Sequence, residues 1–282
     1  MPLTPQEVIQ NLGELPPLPT VATRVIRLSV ASDTSAEELQ HLIRMDQALA
    51  SQVLKVANSA MFGMVREVTT LTQAIMTLGF FTTRSVVLAA SVKNLFNRGP
   101  VAPQERTLWE HALVTALTGS AFSRALQFPE AEEVFLAGLM HDIGKSVLAL
   151  KFPEGYGALL RRVGGGEGHG LLLELDTFGF DHAMVGEALL HSWNVSQGLE
   201  AVARWHHEPL QAPVEHRRLV ALVALGNQAA MDLHVGLGSP DALSSATRDA
   251  LHMLHLDDAT YRHCQVLARE ALEQDRALIT DF

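Results

Sequence analysis

Residues 135–148 read FLAGLMHDIGKSVL. The run is apolar at helical spacing and predicts one continuous helix carrying His141, Asp142 and Lys145. A histidine and an aspartate inside such a run are costly to bury without compensation. Coordination to a divalent cation removes that cost, because neutral imidazole and carboxylate both donate electron pairs. Neighbouring residues on a helix point about 100° apart, so the two side chains can take adjacent corners of one coordination sphere. Lys145 follows Asp142 by three positions and His141 by four, over the same face. Its ammonium there can hold a phosphate oxygen or pair with Asp142. A buried polar pair, hydrogen-bonded to helix neighbours, accounts for the same residues, and the segment alone does not choose between the two.

Working outward, helical periodicity dominates the chain. Val21, Val25 and Leu28 share a face after Pro16-Pro17-Leu18-Pro19, and proline is tolerated at helix starts, so a helix is expected from near Thr20. Ser35 followed by Glu38 reads as a capping box opening a helix with Leu39, Leu42 and Ile43. Another helix is expected from Gln47 to Ala60, stopping at Phe62-Gly63. Leu71, Ile75 and Leu78 mark one ended by Gly79, and Val86 to Leu95 the next. Alternating β-type runs are hard to find, so the fold class expected is all-α. Asn97 to Pro103 is rich in breakers and reads as a linker. The expected division is an N-terminal helical subdomain over 1–98 and a helical bundle with C-terminal helices over 105–282. Gly164-Gly165-Gly166-Glu167-Gly168 is a flexible loop without the strand–turn–helix context of a phosphate cradle.

Composition excludes several classes. Apolar residues make up 48% and charged residues 18%, which opposes disorder. A net charge of -10 disfavours nucleic acid and anionic membrane surfaces as partners. Cys264 is the only cysteine, so no intrachain disulfide can form and a reducing, cytoplasmic setting is expected. The N-terminus lacks a basic start and an apolar core, so no signal peptide is read there. Apolar runs such as Leu219 to Leu225 are too short to span a bilayer, and no membrane insertion is expected.

Eight of the thirteen histidines fall between 111 and 216, including His111, His182 and the adjacent pair His206-His207. A lone histidine on a helix is more often structural than a ligand. The adjacent pair is harder to dismiss, because two bulky polar rings near a helix end are costly unless exposed or functional.

The order His111, His141-Asp142, His182, His206-His207 resembles the HD superfamily of metal-dependent phosphohydrolases, and most closely its HD-GYP branch of cyclic-dinucleotide phosphodiesterases. Further segments are similar to the hallmarks of the HDOD family, the HD-related output domains. They are Leu15 to Pro19, Met45 to Ala50, Val56 to Gly63, Ala74 to Gly79, and His182 to Gly186 with Leu189-Leu190 and Trp193. The resemblance covers about residues 10–230 and implies an HD-type helical bundle. It also implies signalling output or scaffolding through protein partners, with a cyclic dinucleotide or other nucleotide as an alternative ligand or substrate. By the same resemblance His111, His141, Asp142 and Asn227 would hold a first divalent ion, and His182, His206 and His207 a second. The ions would be Fe, Mn or Zn, with Lys145 stabilising charge on a phosphoryl group.

Two departures from the pattern count against catalysis. Asn227 stands where the motif has its closing aspartate, and an amide carbonyl is a poorer ligand for a hard cation than a carboxylate. Asp232, five residues on, points elsewhere around the helix. The Gly-Tyr-Pro segment of the phosphodiesterases is also missing after His206-His207-Glu208, and Glu154-Gly155-Tyr156-Gly157 is not in its place.

Overall fold

The computed structural model describes residues 5–28, 33–58, 67–96, 103–129, 131–236 and 244–274, and among them there are helices and no strands. The all-α expectation holds. The described residues fall into two compact units, one drawn from Met1–Pro16 and Gly99–Ala268, the other from Pro17–Arg98 and Arg269–Phe282.

The smaller unit contains α2 (Thr20–Arg27), α3 (Asp33–Arg44), α4 (Gln47–Ala57) and α5 (Leu71–Phe96). Helix α2 begins immediately after Pro19, as the proline run dictates. Helix α3 opens at Asp33, two residues ahead of Ser35, and the Ser35 side chain lies outside the described residues. Asp46 caps α4 instead, its carboxylate accepting from the backbone N–H of Ala48 and Leu49. That helix stops at Ala57, short of the expected Ala60, because Asn58 turns its side chain to the backbone. The Asn58 amide donates to Leu54 O and Val68 O and accepts from Val68 N, tying positions 58 and 68 together. The expected stop at Phe62-Gly63 and the linker over 97–102 lie outside the described residues.

Helix α5 is interrupted at Gly79, whose φ of 77° and ψ of 166° suit only glycine. Its sequence therefore acts as two helices, as the Gly79 punctuation predicts. Among the described helices it is the one long and apolar enough, by length and composition, to cross a membrane, and 61% of its apolar window is buried inside the protein. Leu39, Ile43, Leu49, Val53, Val56, Val86 and Val87 form the core of this unit.

The larger unit holds α1 (Pro5–Leu12), α6 (Pro103–Ala125), α7 (Ala131–Met140), α8 (Ile143–Lys151), α9 (Pro153–Gly164), α10 (Gly170–Phe178), α11 (His182–Ser192), α12 (Gln197–Trp205), α13 (Arg217–Asp232) and α14 (Ser245–Met253). Helix α15 (Asp258–Gln274) begins in it. The pair α6 and α13 makes the spine, with α7 laid across both and α11 packed on α8 and α12. Thr118 Oγ1 donates to Gly226 O at 3.1 Å, a polar stitch inside that apolar spine. The start of α15 packs back on this unit: the Tyr261 ring stacks on Phe122 at 5.6 Å, and Cys264 is buried and free.

Residues 5–16 also join the larger unit, although their sequence position groups them with 1–98. The cause is apolar: α1 packs against α11 and buries Val8 and Leu12. At the end of the same helix, Trp193 Nε1 donates to Pro16 O at 2.9 Å. Two motif segments far apart in sequence, Leu15-Pro16 and Trp193, meet in that bond.

Candidate metal centre

The expected single helix over 135–148 is in fact two. Helix α7 ends at Met140 and α8 starts at Ile143, so His141 and Asp142 form the turn between them. Asp142 has φ −103° and ψ 14°, and its carbonyl accepts from Lys145 N. The turn aims both side chains inward from one corner, which a straight helix would not do. It is held against α11 by a missing side chain. A Cβ on Gly144 would lie 1.9 Å from the His182 carbonyl oxygen, so only glycine lets α8 approach closely enough to set Asp142 beside His182.

The two oxygens of Asp142 face two sets of partners. Oδ2 lies 3.3 Å from His141 Nε2, 3.7 Å from His111 Nε2 and 2.6 Å from Lys145 Nζ. Oδ1 lies 3.2 Å from His182 Nε2 and 3.5 Å from His206 Nε2. His207 completes the second set, its Nε2 3.1 Å from that of His182. His111, His141, Asp142, His182 and His206 are buried, while His207 is partly exposed. Two groups, Asp142 with His182, His206 and His207, and Asp142 with His111 and His141, each bring one ligand atom per residue within 4.8 Å of the others.

The far side of most of these rings is already held. His141 Nδ1 contacts Gly138 O at 2.7 Å, His111 Nδ1 contacts Val235 O at 2.8 Å, and His206 Nδ1 lies 3.0 Å from Val202 O. A carbonyl can only accept, so each Nδ1 carries a hydrogen and each Nε2 is the nitrogen left facing the centre. Burial pushes His111 and His206 down to about 4, against the pull of Asp142, and takes His207 well below the usual range. His111, His206 and His207 are therefore neutral at neutral pH, the state in which imidazole binds a metal. Burial would raise Asp142, but His141 and Lys145 hold it well below the usual carboxylate range.

His182 differs. Its Nδ1 contacts Glu174 Oε2 at 2.6 Å, and its backbone N–H donates to the same oxygen at 2.8 Å. Burial lowers this histidine, yet the Glu174 carboxylate overrides it and raises the ring to about 9. The same pairing holds Glu174 low despite its burial. Tyr156 donates its hydroxyl to Glu174 Oε1 at 3.0 Å, and its own ionisation is pushed up by burial and by that carboxylate. The sequence reading missed both residues. The signal for Glu174 was one carboxylate among the leucines of Leu171-Leu172-Leu173-Glu174-Leu175, eight positions before His182. Tyr156, set aside as belonging to a misplaced motif, is buried at the heart of the site.

The residue types fit a divalent metal, and the test is local. His141 Nε2, Asp142 Oδ1 and His206 Nε2 are buried with no hydrogen-bond partner. Three such atoms around one carboxylate are costly in a protein interior, and a cation on either face of Asp142 takes up the lone pairs directed at that face. Asn227 and Lys145 line the same cavity, of about 1280 Å³, as His111, His182 and His207. Asp232 is turned away: it accepts from Gln228 Nε2 at 2.8 Å and from Tyr261 and Gln265, so it does not take the place of Asn227. Of the remaining histidines in this region, His169 reaches the cavity wall and His191 pairs with Glu200 at the surface.

Comparison with known proteins places the chain in a family. The HDOD domain model matches residues 15–209. An uncharacterized protein of Treponema pallidum (strain Nichols) is 23% identical over 221 residues, 78% of this chain and 43% of that protein, so the chain spans less than half that relative's length. An HDOD domain protein with unknown function from Geobacter sulfurreducens superposes with a TM-score of 0.79 at 22% identity, over 97% of this chain and 95% of the other. A candidate phosphohydrolase from Shewanella amazonensis SB2B gives 0.73 at 22% identity, over 96% and 97%. A candidate signal transduction protein from Marinobacter aquaeolei VT8 gives 0.74 at 22%, over 98% of this chain and 61% of its own. At that identity the solved structures share the fold, and the family match rests on the domain model. On that match, with the HDOD segments and the all-helical fold, the chain belongs to the HDOD domain family.

Proposed function

We propose that this chain is a signal-transduction module of the HDOD type, built around a divalent-metal centre that holds a phosphorylated ligand, and that it passes its state to protein partners. The observation that carries the reading is the set of three unpartnered buried atoms, His141 Nε2, Asp142 Oδ1 and His206 Nε2. An interior kept for packing alone would have paired them or replaced them by apolar groups. Asp142 with the histidines facing one of its oxygens would hold the ion, with Fe, Mn and Zn all suited to a nitrogen and oxygen donor set.

Charge supports the choice of ligand. One carboxylate at the centre cannot neutralise a divalent ion together with Lys145, and Asn227 adds no negative charge, so the site favours an anion. The adjoining cavity of about 1280 Å³ has room for a nucleotide-sized one. Lys145 would steady its phosphate oxygens, while Glu174 and Tyr156 keep His182 in place. When bound, the metal supplies Lewis-acid polarisation of a phosphoryl oxygen.

The second reading is a metal-dependent phosphohydrolase, favoured by Lys145 standing 2.6 Å from Asp142 Oδ2 at the cavity wall, where it can meet a transferring phosphoryl group. One experiment separates the two. Elemental analysis of the purified protein is coupled to a phosphodiesterase assay, with cyclic dinucleotides and an aryl phosphodiester, over Mn, Fe and Zn. The signalling reading expects bound metal without turnover. Turnover at an ordinary enzymatic rate, abolished in His141→Ala, would establish the hydrolase instead, and protein that takes up no metal would sink both.

A further inference from the structure

The two faces of Asp142 are not equally prepared for a cation. On the Oδ1 face the carboxylate oxygen is buried without a hydrogen-bond partner and His206 Nε2 is likewise unpartnered, as His141 Nε2 is on the Oδ2 face. His182 Nε2 is 3.2 Å from that oxygen, and His207 Nε2 is 3.1 Å from His182 Nε2. Two imidazole nitrogens this close repel unless one carries a hydrogen or a cation lies between them. With the His182 Nε2 hydrogen displaced by the ion, the face offers three nitrogens and one oxygen, the donor number of a four-coordinate site. His182 is also fixed from behind by Glu174 through two contacts to one oxygen.

On the Oδ2 face a positive charge is already in place. Lys145 Nζ sits 2.6 Å from Oδ2, closer than either imidazole of that face: His141 Nε2 at 3.3 Å and His111 Nε2 at 3.7 Å. A divalent ion drawn to the same oxygen would meet the ammonium at short range in a poorly screened interior. Asn227, on the wall of the adjoining cavity, brings a neutral amide and no charge to offset that repulsion. The imidazoles of His111 and His141 are oriented for coordination, so the difference between the faces lies in Lys145 and Asn227.

We infer that the chain holds a single divalent ion on the Oδ1 face of Asp142, ligated by His182, His206 and His207, and that the Lys145 ammonium takes the place of a second cation on the Oδ2 face. The inference rests on the metal-centre reading above and specifies its stoichiometry. It assigns the positive charge facing a bound phosphate to one metal and one lysine, and it makes His111 and His141 a polar wall.

The test uses the full chain, loaded separately with Mn, Fe(II) or Zn, freed of loose metal and measured by elemental analysis, with helical content checked by circular dichroism. The expected result is about one ion per chain. His206→Asn and His207→Asn should each lower affinity by at least tenfold, while His111→Asn stays within about threefold of wild type. His111→Gln serves in its place should the asparagine variant lose helical content. Lys145→Ala combined with Asn227→Asp should raise the content toward two ions. Manganese-loaded wild type should show the resonance of an isolated ion. Two ions per wild-type chain, a spin-coupled manganese pair, or loss of the ion in the His111 variants but not in His207→Asn would overturn the inference and leave the metal centre standing. Wild-type protein without metal would overturn both.

Discussion

Glu174 Oε2 meets both the backbone N–H and the Nδ1 of His182, at 2.8 and 2.6 Å, while its other oxygen accepts from Tyr156. One carboxylate thus fixes the position and ring orientation of a histidine whose Nε2 faces Asp142. Support of this kind typically changes metal affinity by 10–100-fold. Glu174→Gln is expected to weaken metal binding by about that factor, read by competition against a chelator, while helical content is kept. Tyr156→Phe should cost stability by about 1.5–3 kcal/mol, the worth of a hydrogen bond to a buried charged group. Unchanged affinity in the glutamine variant would remove Glu174 from the account.

Gly144→Ala tests the approach that brings the α8 turn to α11. The added methyl would lie 1.9 Å from His182 O and 2.7 Å from Gly186 N, both backbone atoms that cannot step aside alone. A loss of at least about 3 kcal/mol is expected by chemical denaturation, at the upper end for overpacking. Metal retention should fall with it, because the same contact sets the distance from Asp142 to His182. A fully stable variant would show that the helices separate easily.

Acid should destabilise the metal-free protein through the buried imidazoles. Burial holds His111 and His206 at about 4 instead of 6.5, so between those values the unfolded chain binds protons that the folded one does not. The stability they contribute is present above 6.5 and is lost as pH falls toward 4, with a slope of about 1.4 kcal/mol per pH unit for each group. His182 acts in the opposite sense: raised to about 9, its contribution is complete below 6.5 and lost as pH rises through 9. Denaturation midpoints across this range should fall at both ends. His206→Asn should flatten the acid limb and leave the alkaline one, and an acid limb of equal steepness in that variant would contradict the assignment.

Asp232→Asn separates the two carboxylates of the region. Asp232 serves Gln228, Tyr261 and Gln265, a link between α13 and α15 rather than part of the metal cluster. The substitution should lower stability by about 1–2 kcal/mol and leave metal content unchanged. Loss of metal would place Asp232 in the centre after all.

Much of this architecture was legible in the sequence because it rests on local rules. Pro19 starts α2 and Gly79 breaks α5, and both are backbone constraints written in single residues. His111, His141, Asp142, Lys145, His182, His206 and His207, proposed as a set from the family resemblance, do converge. The break between α7 and α8 was not legible, since its apolar run fits a continuous helix and only the packing of Gly144 on α11 shows why it bends. Glu174 and Tyr156 escaped for a similar reason. A supporting residue has no spacing rule relative to the ligand it supports, and only the folded chain brings α9 and α10 beside His182. The placement of α1 with the larger unit goes with its packing on α11 and the burial of Val8 and Leu12, a contact between segments about 180 residues apart.

The most direct test of the centre itself compares wild type with Asp142→Asn. Both proteins are purified at equal helical content, dialysed against limiting Mn, Fe(II) or Zn, and analysed for bound metal. The account predicts a tightly held divalent ion in wild type and its loss in Asp142→Asn, because the carboxylate between the two histidine sets is the one charged ligand they share. Equal metal content in the two proteins, whether both loaded or both empty, would contradict it.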